Sequence, residues 1–228
     1  MKIELLQPVY GSQEIAVRAF KAYAQTELKD LEVDFDIQIQ NTHFYVSLTG
    51  DDEEICANFL YKQFGQILTK TDVVSGVDYR GYIQKIESDK LIIYAGFEIE
   101  AAVSSLAALG VGNAGQIATR FGMIPYLPVT FQMSPDLKTA VFSKEQIDQW
   151  WAWKKTSTDR IFLNGVTRSQ VKAALQKKGH GRDVYGVEKL GLTECVIVCK
   201  ENTDAPGIVA SVGKLLNAQM GVLIGTKK

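Results

Sequence analysis

The chain has 228 residues, 46% hydrophobic and 22% charged, a composition that excludes a wholly disordered, collagen-like or coiled-coil protein. Its 25 Lys+Arg and 26 Asp+Glu give a formal net charge of −1, which excludes a uniformly basic surface but allows local patches. Cys56, Cys195 and Cys199 lack metal-ligand spacing, so we predict buried thiols, no metal and no cofactor. Because no apolar run has the length of a signal peptide or a membrane span, we expect a cytoplasmic protein with no membrane partner.

The first segment, residues 1–72, is predicted to be an acidic α+β domain. A short apolar strand at residues 3–6 is followed by apolar residues at helical spacing. Strict alternation over residues 33–39 and a further strand at 44–48 predict a hairpin. The carboxylates of residues 51–54 then favour the start of a second helix. The predicted order is βαββα.

The second segment, residues 73–142, is predicted to consist mainly of short strands. A helical turn is expected before the fourth strand, and this order is typical of a small OB-type β-barrel. We place the five strands at residues 79–87, 91–96, 98–101, 129–133 and 140–142.

Residues 143–158 are predicted to form a Trp-rich linker helix, because Ser143 and Gln146 have the spacing of a capping box. Residues 159–228 follow the order βαββαβ, the ferredoxin-like pattern of a basic domain. Thr167 repeats the capping-box spacing with Gln170. The predicted fold class is therefore α+β, with two ferredoxin-like (βαββα(β)) domains flanking a small OB-type β-barrel.

Two resemblances are carried by particular stretches of the chain. Residues 76–143 resemble the OB-fold RNA-binding domain of the ribosomal protein S-one type, through the run from Gly81 to Ile86 and through Pro128-Val129-Thr130-Phe131. Nearly the whole chain is similar to an archaeal family known as domain of unknown function 2110. The stretches that carry this second resemblance include residues 159–165, 179–183 and 204–207. The first resemblance implies RNA binding, and the second implies an archaeal source and no particular activity.

Several motifs suggest small-molecule sites. Residues 110–115 match G-x-G-x-x-G, but the preceding residues lack strand alternation and no parallel βαβ unit surrounds them, so we interpret them as a loop. His180 with Arg182 and Asp183, and the turn at residues 204–207, are open to two interpretations, a ligand site or ordinary helix-end signals. Because no nucleophile or metalloprotease motif is present, we predict no catalytic residue.

Trp150, Trp151 and Trp153 form the densest aromatic cluster in the sequence. They cannot all lie on one narrow stripe of a helix. In one interpretation the helix is wedged between the barrel and the last domain. In the other, the three indoles are candidates for a protein-partner interface or for stacking on exposed bases.

Charge is strongly segregated along the chain. Residues 1–69 carry 5 Lys+Arg and 11 Asp+Glu, residues 70–148 carry 7 and 9, and residues 149–228 carry 13 and 6, a net charge of +7 for the last part. Such an excess is either a solvated helix face or a phosphate-binding surface, where counter-ion release favours binding. The predicted nucleic-acid-binding residues are Lys154, Lys155, Arg160, Arg168, Lys172, Lys177, Lys178 and Arg182, with Tyr79, Tyr82 and Tyr94 as stacking side chains.

These patterns favour a non-enzymatic RNA-binding protein, with RNA or a ribonucleoprotein of the translation or transcription machinery as its partner. A protein–protein adaptor, docking through the acidic N-terminal domain and the Trp-rich helix, is the alternative. A small-molecule sensor is a third possibility.

Overall fold

A computed structural model describes residues 1–226, which contain six α-helices and three antiparallel sheets. The fold is therefore mixed α+β, as predicted. Residues 227–228, the end of the predicted basic domain, lie outside the described residues. Among residues 1–226, no helix combines the length and the apolar character that crossing a bilayer requires.

The N-terminal unit is a three-stranded sheet with two helices packed on one face. Its elements are β1 (Lys2–Pro8), α1 (Gln13–Glu27), β2 (Asp34–Gln40), β3 (His43–Thr49) and α2 (Glu53–Phe64). The strand order is β1-β3-β2, and Gln66 adds an isolated bridge to Leu5 at the outer edge of β1. Alternation places Phe44 and Val46 in the core beneath the helices.

The central unit is a five-stranded sheet with the order β6-β5-β4-β7-β8. Its elements are β4 (Tyr79–Ile86), β5 (Lys90–Tyr94), β6 (Glu98–Ala102), α3 (Ala114–Arg120), β7 (Pro128–Met133) and β8 (Ala140–Phe142). A small OB-type β-barrel is predicted for this segment, and the observed sheet is not closed: in residues 1–226 its edge strands meet only at an isolated bridge between Glu100 and Thr139. β8 has only three residues, and a 3-10 helix at Val103–Leu109 follows β6 directly, so the ladder cannot extend.

The C-terminal unit follows the helix α4 (Lys144–Lys155) and has the element order βαββαβ. Its elements are β9 (Arg160–Asn164), α5 (Arg168–Lys177), β10 (Val184–Lys189), β11 (Glu194–Cys199), α6 (Ala205–Leu216) and β12 (Gln219–Leu223). All strand pairs are antiparallel, and the sheet order is β10-β11-β9-β12.

The two predicted capping boxes differ in outcome. Thr167 and Gln170 exchange both hydrogen bonds at the start of α5, so this capping box is confirmed. Ser143 caps α4 by accepting a hydrogen bond from the Gln146 backbone N–H. The Gln146 side chain, however, accepts from the Thr130 backbone N–H at 3.0 Å, so it ties the helix to β7 instead of completing the box.

The C-terminal sheet is covered on both faces. Ile161 and Leu163 of β9 belong to the core beneath α5 and α6, whereas Phe162 between them packs into the core of the central unit. The backbones of the two units approach closely at Gly122, where φ is +66° and a Cβ atom would lie 2.9 Å from the Leu223 nitrogen. This packing fixes α5 and its charges at the outer surface of the molecule.

Candidate functional site

Exposed cations of the C-terminal unit gather on α5 and on the 3-10 turn that follows it. Val171, Ala174 and Leu175 face the sheet, so the opposite side of α5 is left to solvent. We define the α5 basic surface as the exposed residues Arg168, Lys172, Lys177, Lys178 and Arg182. In the described part of the chain, none of these five side chains forms a salt bridge. None of these charges is therefore neutralised by a contact ion pair within residues 1–226.

A cleft of about 480 Å³ lies between α5 and α1 of the N-terminal unit, and we call it the α1–α5 cleft. Arg168 lines it and donates from Nε to the Val187 carbonyl oxygen at 2.7 Å, which holds the guanidinium in place. On the same wall, Lys189 Nζ lies 5.9 Å from the centroid of the Tyr23 ring. Burial and the Glu27 carboxylate raise the pKa of Tyr23 to about 12, so the ring stays neutral. The Tyr23 ring stacks on Phe59, so within the described residues the cleft offers cations for a phosphate and no free ring face for a base.

Three of the predicted nucleic-acid-binding cations lie near the Trp-rich helix, and two of them are used internally. Lys154 Nζ donates to the Ile224 carbonyl oxygen at 2.6 Å. Arg160 donates to Thr156 Oγ1 at 2.9 Å and lies 5.7 Å from the Trp153 ring centroid, and burial lowers the pKa of its guanidinium. Lys155 is exposed above the Trp151 ring. Among these three cations, only Lys155 is fully available to a ligand.

The three predicted stacking tyrosines do not form a shared exposed surface. Tyr82 is 5% exposed and packs against Tyr94 with ring centroids 5.3 Å apart. Tyr94 in turn stacks on His43 of β3, at 5.4 Å. Tyr79 lies apart from this group and accepts a hydrogen bond from the Val74 N–H. Tyr82 and Tyr94 therefore join the central unit to the N-terminal unit.

The Trp-rich helix α4 lies between the central and C-terminal units. Trp150 is completely buried and meets Phe142 edge to face at 4.7 Å. Trp151 donates from its indole N–H to the Ala108 carbonyl oxygen at 2.9 Å. Trp153 packs against Phe162 of β9 at 5.5 Å. The indoles act as packing groups between two sheets, and Trp150 is not accessible to a partner in this structure.

A buried polar junction joins the three units around Glu194, which is 0% exposed. Its carboxylate accepts hydrogen bonds from Tyr10 Oη at 2.5 Å, Gln7 Nε2 at 3.1 Å and Thr193 Oγ1 at 2.9 Å. Desolvation raises the pKa of the Glu194 carboxyl group, whereas the hydrogen bonds from these donors lower it. The net effect is a raised pKa. The Tyr10 ring also stacks on Tyr126 of the central unit, with centroids 4.1 Å apart.

Sequence reasoning missed the junction residues and the contribution of Tyr23 to the cleft. Gln7 and Tyr10 lie more than 180 positions from Glu194 in the chain. No local pattern predicts such pairing. The only local signal was a carboxylate at the start of the otherwise apolar strand β11, where burial requires partners.

Two of the small-molecule motifs meet in a single pocket of about 720 Å³, which is lined by His180, Arg182, Asp183 and Asp204. His180 Nδ1 is already paired with Asp183 Oδ2 at 2.8 Å. The glycine-rich loop at residues 110–115 is separate from this pocket and follows a 3-10 helix instead of a parallel strand. Arg120 closes that loop by donating to the Val111 carbonyl oxygen at 2.8 Å, so the dinucleotide-site context is absent there.

The three cysteines are free and buried, as predicted. Burial raises the pKa of Cys195 and of Cys199 to about 12, which keeps both thiols protonated. Within residues 1–226, no cluster of three or more His, Cys, Asp or Glu side chains is arranged to hold a metal ion.

The fold and the surface together define an α+β protein of three packed sheets, with exposed cations on α5 and on the turn that follows it. Three family models match the sequence. They are the DUF2110 N-terminal domain over residues 2–70, the DUF2110 central domain over 73–154 and the DUF2110 C-terminal domain over 158–224. The chain therefore belongs to the DUF2110 family, which is a family of unknown function. A comparison with curated proteins finds no match.

Proposed function

We propose that this protein binds RNA through the α5 basic surface and the adjoining α1–α5 cleft, as a non-enzymatic component of the translation or transcription machinery. The observation that carries the proposal is the set of five exposed cations without salt bridges within residues 1–226. Contact between such a surface and phosphates releases counter-ions, which favours binding. Arg168 and Lys189 line the adjoining cleft, where the two cations can contact a further phosphate.

We also propose the specific folds predicted from the sequence, a ferredoxin-like C-terminal unit and an OB-type central unit. The order β10-β11-β9-β12 supports a ferredoxin-like arrangement of the C-terminal unit. The five antiparallel strands of the central unit support an OB-type sheet that is partly open. An archaeal source and a cytoplasmic location stay predictions.

The two other candidate functions have less support from the packing. An adaptor that docks through the Trp-rich helix needs exposed indoles, but Trp150, Trp151 and Trp153 pack inward. A small-molecule sensor would use the pocket at His180, where the imidazole already pairs with Asp183. RNA binding uses exposed cations, and within residues 1–226 four of the five side chains, all except that of Arg168, form no hydrogen bond or salt bridge. It is therefore the function that we propose.

The proposal is tested with a labelled single-stranded RNA oligonucleotide, whose dissociation constant is measured at about 50 and 200 mM salt. Five phosphate contacts, each contributing about 0.7 to the salt slope for single strands, predict about 100-fold weaker binding at the higher salt. Replacing Lys172 and Lys177 by Glu should weaken binding at least tenfold and lower the slope by about 1.4. Both side chains are exposed and form no hydrogen bonds with other described residues, so the fold should persist.

The control variant is Lys62→Glu, which reverses an exposed charge on α2 of the N-terminal unit, outside the α5 basic surface and the α1–α5 cleft. It should bind RNA nearly as tightly as the unaltered protein. A dissociation constant that does not change with salt would contradict the proposal. So would a double variant that binds as tightly as the control.

A further inference from the structure

Strand β2 forms the outer edge of the N-terminal sheet. A two-residue turn makes Gln40 and His43 the closing pair of the β2–β3 hairpin, and in such hairpins this pair is hydrogen-bonded. Bonded pairs then alternate along the ladder. The backbone N–H and C=O groups of Phe35, Ile37 and Ile39 therefore point away from β3, and no contact in residues 1–226 satisfies them.

The other sheet edges in residues 1–226 are protected. Gly65 and Gln66 cover the outer edge of β1, and the two edges of the central sheet face each other across the Glu100–Thr139 bridge. β10 has an irregular register near Gly186, and β12 is short, with five residues. Such features commonly prevent an edge strand from pairing with another chain. β2 has seven residues in regular register, with no bulge, proline or lysine.

We propose that β2 pairs antiparallel with β2 of a second copy of this chain, about a two-fold axis at Ile37. In this register Asp36 faces Gln38 of the second copy, and Asp34 faces Gln40 of the second copy. Each carboxylate meets an amide directly across the interface. The nearest like-charge pair, Asp36 with Asp36 of the second copy, is diagonal at about 7–8 Å, where the repulsion is weaker than between directly opposite residues. On the other face, Phe35 meets Ile39 of the second copy, and both side chains are only partly buried in one chain.

A groove along the same edge favours the same partner. It measures about 620 Å³ and lies between α1 and the end of β2, where Val17 and Ile39 contribute apolar surface. Glu14 and Lys21 on α1 also line it. A two-fold axis perpendicular to the sheet places α1 of the second copy on the same side of the joined sheet, antiparallel to the first α1 and next to this groove. The proposed dimer contains one continuous six-stranded sheet. Its formation does not require RNA.

Two variants at Gln38 should shift the monomer–dimer equilibrium in opposite directions. Gln38→Asp places a carboxylate opposite Asp36 twice in each dimer, which should raise the dissociation constant of the dimer about tenfold. Gln38→Lys creates two opposite-charge pairs and should lower it. Gln176→Asp, an equal charge change at an exposed site on α5, should leave it unchanged. Sedimentation equilibrium measures all three, and circular dichroism confirms that each variant is folded.

Disulfide trapping tests the register. Positions 36 and 38 form a non-hydrogen-bonded pair across the proposed interface, with Cα atoms about 4.5 Å apart, a separation that a disulfide can bridge. Mild oxidation of a mixture of Asp36→Cys and Gln38→Cys chains should give a crosslinked dimer, whereas each variant alone should give little. The three native cysteines are buried and should not react.

Three results would overturn the inference. The first is a chain that stays monomeric at every concentration in sedimentation. The second is the same dissociation constant for the Asp and Lys variants of Gln38. The third is crosslinking of equal extent in the mixture and in the separate variants. The RNA-binding measurements with Lys172 and Lys177 are independent of these outcomes.

Discussion

Replacement of Tyr10 by Phe removes one hydroxyl group from the buried polar junction. Tyr10 Oη donates to Glu194 at 2.5 Å and accepts from the Gly165 N–H at 3.0 Å. That N–H keeps a second acceptor, the Thr193 carbonyl oxygen, also at 3.0 Å, so the loss falls mainly on the Glu194 carboxylate. Removing one partner of a buried hydrogen bond leaves the other group unsatisfied, which costs about 1–3 kcal/mol. Because Glu194 is fully buried and loses one of its hydrogen-bond partners, we expect the free energy of unfolding to fall by about 1–3 kcal/mol.

The matched control is Tyr185→Phe. Tyr185 Oη donates to Glu201 Oε2 at the same distance, 2.5 Å, but this pair is exposed at the surface. Water can take the place of the lost phenol there, so the variant should unfold almost like the unaltered protein. The two variants therefore compare the same chemical change in a buried and in an exposed site.

Urea unfolding followed by tryptophan fluorescence measures both losses at one pH. A double-mutant cycle of Tyr10→Phe with Glu194→Gln then isolates the energy of the pair. The coupling energy should account for most of the loss seen in Tyr10→Phe alone. Equal losses for the Tyr10 and Tyr185 variants would refute the reasoning, because burial would then have no effect on the strength of the bond.

Three further predictions concern the buried groups. Burial raises the pKa of Glu194, so its contribution to stability is fully present below the unfolded pKa of about 4.3 and is lost as pH rises through the folded pKa. Urea unfolding at several pH values measures this loss. Between the unfolded and the folded pKa, the free energy of unfolding of Glu194→Gln should rise relative to that of the unaltered protein by up to about 1.4 kcal/mol per pH unit. Gly122→Ala should lose about 2 kcal/mol or more in urea unfolding, because φ is +66° and the added Cβ meets β12. Cys195 and Cys199 should resist iodoacetamide until urea unfolds the chain, as mass spectrometry would detect; rapid native labelling would contradict their burial.

Local structure could be predicted because its causes lie within a few residues. The alternation of apolar and polar residues in β2 and β3 predicts both strands and the face of each strand that turns toward the core. The Thr167 capping box starts α5, and its apolar spacing identifies the side that the sheet covers. Arg168 and Lys172 then follow as exposed neighbours one turn apart.

Partners distant in the chain could not be predicted in the same way. Arg160 has the charge of a phosphate ligand, yet threonine and carbonyl oxygens surround its guanidinium. Tyr82 has the position of a stacking residue in an OB-type barrel, yet the N-terminal unit covers it at His43. The closure of the barrel depends on whether β6 and β8 are long enough to pair, which alternation alone does not determine. Charge and aromatic character identify candidates, whereas domain packing decides which of them remain free.

The double-sided burial of the C-terminal sheet affects how the protein is made. During synthesis the sequence of the central unit is translated before β9, β11 and β12. Its core is then incomplete, because Phe162, Val196 and Leu223 of those strands belong to it. Until those strands emerge, an apolar face of the central unit is open to water, to proteases and to other nascent chains. Synthesis arrested after Thr158 should therefore leave a protease-sensitive chain, and full protection should arise only when the last strand has been translated.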